Sequence, residues 1–205
     1  CREGLFFDRR RVEHGDCTGF EFGRRLLMNR RIETAVFENS AANILREGLA
    51  YDRCQVGVVT NVAIERHTGR FYIETPEQVF NVLRTQIDLV LPRGVAVLNA
   101  GEPMLVEMAA LCDGEVIYFA LDPELPVIVE QREQGKRAVI VRHEQIMLAR
   151  GNDEVPLASL IDIPLSEGGR VKAQVENVLA AIGAAWALDI SPDVMRTGIE
   201  TFFVE

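Results

Sequence analysis

Lysine, tryptophan, histidine and cysteine are all scarce in these 205 residues. Cys1, Cys17, Cys54 and Cys112 stand far apart and form no C-x-x-C pair. That spacing excludes a zinc ribbon or a dithiol redox motif. The thiols read instead as small apolar side chains of a reducing compartment, so the expected location is the cytoplasm. No apolar run reaches the length of a membrane span and no signal-peptide pattern occurs, so no membrane partner is expected. The formal net charge of −9 argues against nucleic acid as a partner. Lys136 and Lys172 are the only lysines, and the remaining basic residues are arginines. Glycine-rich phosphate loops are missing as well. The one Gly-Lys pair, Gly135-Lys136, is followed by Arg137 and has Glu130 where the first glycine of a G-x-x-x-x-G-K-[ST] loop belongs. No G-x-G-x-x-G is present.

Aliphatic strands alternating with amphipathic helices are present in quantity. Hydrophobic residues make up 48% and aromatics 7%, which suits an aliphatic α/β core better than an aromatic-rich sandwich. A small hairpin is expected over residues 4–16, with Arg9, Arg10 and Arg11 in its solvated turn. The loop Gly15-Asp-Cys-Thr-Gly19 precedes a helix over 20–28, and it either starts that helix or offers amides to a phosphate. Strands are expected at 34–38, 55–62, 95–98 and 116–121, with the 55–62 strand buried on both faces. Helices are expected at 41–49, 75–91, 104–111 and 127–134, the second of these opened by Thr75-Pro76-Glu77 and followed by a turn at Pro92-Arg93-Gly94. This alternation predicts a three-layer α/β fold with a mainly parallel sheet. Short strands at 138–141, 145–148 and 160–163 predict a small antiparallel extension within residues 137–165. Helices over 171–188 and 191–202 close the chain.

In open α/β sheets, ligands bind beyond the carboxyl ends of the strands. The residues expected there are Glu38, then Thr60 and Asn61 with His67 downstream, then Asn99. Glu38 and His67 could approach one divalent cation, or they could be unrelated surface positions. His14 and His143 fall in turn-like contexts and read as solvated.

Several stretches, taken in order, resemble one family. They are Glu38, Ile44-Leu-Arg-Glu-Gly-Leu49, Asp52-Arg-Cys-Gln-Val-Gly-Val-Val-Thr-Asn61 with a histidine six residues on, Ala96-Val-Leu-Asn-Ala100 and Gln174-Val-Glu-Asn-Val-Leu-Ala-Ala181. Together they resemble the central ATP-binding domain of the Mur ligase superfamily, and within it the carboxy-terminal, Mur-like half of the cyanophycin synthetases. Arg11-Val-Glu-His-Gly-Asp16 and Ile163-Pro-Leu165 add to that likeness. The resemblance implies ATP and Mg2+ as cofactors, with Glu38 and His67 as metal ligands. It implies nucleotide contacts from Thr60, Asn61, Asn99 and, at the adenine end, Asn177. The implied chemistry is ATP-dependent amide formation through an acyl phosphate, joining arginine to aspartate side chains of a growing polymer. Arginine and an aspartate polymer are then the partners, and family members usually assemble as homo-oligomers.

Three departures from the family pattern stand out. A Thr-Ala-Arg-Gly-Gly run is replaced by Asn39-Ser-Ala-Ala-Asn43, Leu83 stands where many Mur ligases have a lysine, and Gly101-Glu102-Pro103 replaces Asp-Asp-Pro. They keep open a catalytically degenerate Mur-like scaffold, and a Mur-type ligase with another acceptor is a third option. On the resemblance, residues 1–205 are most of one central domain cut from a longer protein, without its phosphate loop and inactive alone.

Overall fold

The computed structural model describes residues 1–7, 10–64 and 71–203, so Arg9 and His67 lie outside the described residues. The chain divides into two compact units, one of Cys1–Arg53 with Ala63–Thr85 and one of Cys54–Val62 with Gln86–Glu205.

The first unit opens with the expected hairpin. Strands β1 (Gly4–Phe7) and β2 (Arg10–His14) pair antiparallel, with a bulge between Leu5 and Phe6. Helix α1 spans Phe20–Leu27 and α2 spans Ala41–Glu47. Ser40 caps α2 by accepting from the Asn43 amide, and Gly48 ends it at φ 77°, a conformation glycine adopts without strain. Helix α3 (Pro76–Leu83) begins with a full capping box, Thr75 and Gln78 each satisfying the other's backbone.

Residues 34–38 form no strand, against expectation. Val36 is 88% exposed, while the Phe37 ring stacks on Tyr51 with centroids 5.5 Å apart. Phe37 also packs where Gly23 of α1 leaves room for it. One docked aromatic holds this segment in place of a hydrogen-bonded ladder. Glu38 therefore follows an irregular segment and does not close a strand.

The second unit holds a six-stranded sheet in sequential order, β3 (Cys54–Val59), β4 (Val90–Asn99), β5 (Glu115–Ala120), β6 (Arg137–Arg142), β7 (Gln145–Arg150) and β8 (Asp153–Ser159). The first four strands run parallel and the last two add antiparallel, which is the predicted mainly parallel sheet with its antiparallel extension. β3 is an edge strand among the described residues, and Val56 and Val58 are only partly buried, so it is not enclosed on both faces.

The expected helix over 75–91 breaks early. After α3 a short helix α4 (Thr85–Asp88) follows, and β4 has already begun at Val90. Pro92-Arg93-Gly94 lies inside β4, where a bulge lets Cys54 pair with Val90 and Val56 with Val95. The bulge removes the ladder demand that proline cannot meet. A Cβ on Gly94 would stand 2.5 Å from the Gln55 carbonyl oxygen, so the close strand approach requires glycine.

The third antiparallel strand also differs from expectation. It is β8, and residues 160–163 instead wind into a 3-10 turn held by the Ser166 hydroxyl, which donates to the carbonyls of Leu160 and Ile163.

Helices cover both faces of the sheet. On one face α7 (Lys172–Ala187) lays Val175, Val178, Leu179 and Ile182 against Val95, Val97, Ile117, Phe119 and Val139. Gly183 brings α7 so near that an added Cβ would stand 2.6 Å from a Val97 methyl. The last helix, α8 (Pro192–Glu200), packs on α7 and β8. On the other face α5 (Pro103–Met108) and α6 (Pro126–Glu133) contribute the fully buried Leu105, Met108 and Ile128. Buried Gln131 of α6 donates to the carbonyls of Val116 and Arg137, satisfying its amide inside that layer. Among the described residues no helix is long and apolar enough to cross a membrane.

Candidate functional site

Parallel pairing sets the carboxyl ends of β3 and β4 level, because Val59 pairs with Leu98. The next residues out, Thr60 and Asn99, are therefore neighbours. Asn99 is only 3% exposed, and its amide is fully used. Its Oδ1 accepts from the Gly101 amide at 2.9 Å. Its Nδ2 donates to the Thr60 carbonyl at 3.2 Å and to Glu176 Oε1 of α7 at 3.4 Å. Asn61 is exposed, and its Nδ2 donates to the Thr60 hydroxyl at 3.1 Å. Thr60, Asn61 and Asn99 thus form one polar cluster at the open end of the parallel strands. Chemically the cluster offers a hydroxyl and two primary amides, with the Glu176 carboxylate against one of them.

Asn177 lies apart from that cluster's hydrogen bonds. It is exposed on α7, donates to Gln174 Oε1 at 3.2 Å, and borders a groove of about 260 Å3 formed with Leu165, Val178, Ala181, Ile199 and Phe202. The groove is apolar except at Asn177, which suits a flat ring with one polar edge.

Glu176 is the residue of this region that the sequence did not mark. It stands one position before Asn177 in the quoted 174–181 run. Partial burial on a helix with apolar residues all round leaves no periodic signal to single it out.

Glu38 belongs to the first unit and is half-exposed. Its Oε2 accepts from the Arg2 amide at 3.0 Å and its Oε1 lies 3.5 Å from Arg2 Nε. His67 lies outside the described residues. Among the described residues no group of three or more His, Cys, Asp or Glu side chains is placed to hold a metal ion.

The altered loop is taken up with local structure. Asn39 donates to the Tyr51 hydroxyl at 2.9 Å, Ser40 caps α2, and the Asn43 amide donates to the Thr18 hydroxyl. Leu83 is buried in the first unit. In the 15–19 loop, Asp16 accepts from both the amide and the hydroxyl of Thr18, and these bonds hold its carboxyl below the usual value of 3.8. The first amide of α1, on Phe20, is met at 2.8 Å by the Glu47 carboxylate. The chain's own anion fills the position a phosphate would take. Burial raises the Cys54 and Cys112 thiols above 9.0, which suits inert core sulfur better than a nucleophile.

No family model matches the chain. The cyanophycin synthetase of Synechocystis sp. is 34% identical over 200 residues, covering 98% of this chain and 23% of that protein. A UDP-N-acetylmuramoyl-L-alanyl-D-glutamate–2,6-diaminopimelate ligase of Geobacter metallireducens is 28% identical over 181 residues, 86% of this chain and 32% of that protein. The chain therefore spans about a quarter to a third of the length of these curated relatives. Among solved structures, a pseudomurein peptide ligase type C from Methanothermus fervidus aligns with a TM-score of 0.51 at 17% identity, covering 83% of this chain and 39% of that one. That likeness is one of fold.

Proposed function

The chain is a Mur-ligase-like domain similar over nearly its whole length to cyanophycin synthetases, and from that premise we propose that it is the central nucleotide-binding part of a longer ATP-dependent amide ligase. The observation that carries this reading is the 34% identity across 98% of the chain to an enzyme of that name. The level, polar ends of β3 and β4 support it, since donors grouped outside parallel strands are where such sheets bind ligands.

In this reading the Thr60 hydroxyl and the Asn61 amide donate to the terminal phosphates. These donors hold the phosphates in place for transfer. Asn99 fixes the Thr60 backbone, and Asn177 meets the polar edge of adenine in the apolar groove. Glu38 and His67 hold magnesium. An exposed carboxylate is a hard oxygen donor of the kind Mg2+ takes, so Glu38 would supply one such donor. When bound, the ion offsets phosphate charge. ATP phosphorylates a carboxylate, and an amine then displaces phosphate to form the amide. By likeness to the cyanophycin synthetases the carboxylate is an aspartate side chain and the amine is arginine.

A second reading, a Mur-like scaffold without catalysis, draws on the 39–43 loop and Leu83. The polar side chains of that loop are spent on internal bonds, and Leu83 is core. Mg-ATP binding measured by calorimetry on the longer protein separates the two. The ligase reading expects binding that Thr60→Val and Glu38→Ala each weaken, and absence of binding by the unaltered protein contradicts it.

A further inference from the structure

Asn99 stands at the junction of three backbone segments, and the three bonds of its side chain join them at this end of the sheet. They reach the exit of β3 at Thr60, the turn after β4 at Gly101 and the first half of α7 at Glu176. A buried amide with two N–H groups needs two acceptors, because a buried donor left without one costs its full desolvation penalty. One acceptor is a fixed backbone carbonyl. The other is the Glu176 carboxylate, on a side chain that could turn elsewhere but is held within 3.4 Å of Nδ2. Together with the Gly101 amide and the Thr60 carbonyl, the Glu176 carboxylate helps fix how the Asn99 amide is turned. The amide in turn fixes the carbonyl of Thr60, whose own hydroxyl is held by Asn61.

We propose that Glu176 is a positioning residue for nucleotide binding, acting through Asn99 to set where Thr60 and Asn61 present their donors. The proposal rests on the ligase reading above. Glu176 itself touches neither phosphate nor the reacting atoms. Donors at Thr60 and Asn61 meet the phosphates in the bound state and in the transition state alike, so their misplacement weakens both equally. The consequence is a raised KM for ATP with little change in kcat.

The test uses the longer protein with Glu176→Ala, which removes the acceptor, and Glu176→Gln, which keeps an acceptor oxygen without the charge. Two readouts are taken, steady-state kinetics with ATP varied and hydrogen exchange at the Gly101 amide without nucleotide. Glu176→Ala is expected to raise KM for ATP about 5- to 10-fold, the equivalent of one lost hydrogen bond, with kcat within about twofold. Exchange at Gly101 is expected to quicken in parallel. Glu176→Gln is expected to restore both readouts to within about twofold of the unaltered protein. An unchanged KM in Glu176→Ala overturns the proposal, as does a Gln variant as impaired as the Ala variant, since charge and not position would then matter. If Glu176→Ala fails to fold, Glu176→Gln decides alone, and a KM raised about 5-fold or more in that variant overturns the proposal. If the unaltered protein turns over no ATP, the ligase reading fails and this proposal with it.

Discussion

Replacing Asn99 by alanine strips three partners from a side chain that is only 3% exposed. The Gly101 amide, the Thr60 carbonyl and the Glu176 carboxylate each lose a bond. Two neutral bonds at about 1 kcal/mol each and one to a carboxylate at about 1.5 kcal/mol sum to about 3.5 kcal/mol. Glu176 is partly exposed and regains water, which brings the expected loss to about 3 kcal/mol. For a chain of this size that loss lowers Tm by about 6–12 °C. Asn99→Asp is a sharper probe. It keeps the acceptor for Gly101 but turns an oxygen toward the Thr60 carbonyl and the Glu176 carboxylate, so at neutral pH it is expected to fall at least as far as alanine. Adding Glu176→Gln to Asn99→Asp supplies a donor for the new carboxylate and is expected to recover part of the loss. Thermal unfolding of the 205-residue chain, followed by circular dichroism, reads all three variants. A Tm for Asn99→Ala within about 1 °C of the unaltered chain, well below the shift expected for one lost bond, refutes the clamp.

Two further predictions concern stability. Arg137 forks onto Glu115 with both bonds at 2.9 Å, donates to the Trp186 carbonyl near the end of α7 and stacks over the Trp186 ring. Lysine keeps the charge but loses the fork and the ring contact, so Arg137→Lys is expected to cost about 1–2 kcal/mol, and a loss within error in chemical denaturation would show the fork to be idle. Asp16 carries the pH dependence. Its folded value lies below the ordinary 3.8, so its contribution is present above pH 3.8 and is lost as pH falls through the folded value. The stability gap between the unaltered chain and Asp16→Asn is therefore expected to close on acidification below pH 3.8, and a gap that stays constant would contradict the Thr18 bonds as its source.

The parallel core was legible because residues 95–98 of β4, 116–120 of β5 and 138–141 of β6 are unbroken apolar runs, the pattern of strands covered on both faces. The start of α3 was legible because Thr75 and Pro76 each carry a start signal with a local mechanism, and Gln78 completes the capping box in the structure. Failures came where a tertiary contact decided the matter. Residues 34–38 look like a strand but have one docked ring and no ladder. Pro156 hid β8, an edge strand that tolerates proline, and the apolar stretch after it winds through Ser166 hydroxyl bonds. At the candidate site, Thr60, Asn61 and Asn99 were legible together because parallel register brings consecutive strand ends level. Glu176 was not, since its partner is distant in sequence and no short-range rule links them. Glu38 was marked by its place after an apolar run, and the ion pair with Arg2 could not be read from either residue's neighbours.

The claim that this domain serves an ATP-dependent amide ligase meets its most direct test in phosphate release by the longer protein. ATP is supplied with arginine and an aspartate-rich primer, and the unaltered protein is compared with folded Glu38→Ala and His67→Ala variants. The ligase reading predicts arginine-dependent release in the unaltered protein and its loss in both variants. Release that does not depend on arginine, or none at all, contradicts the proposed reaction, and undiminished release in the variants contradicts the assignment of Glu38 and His67.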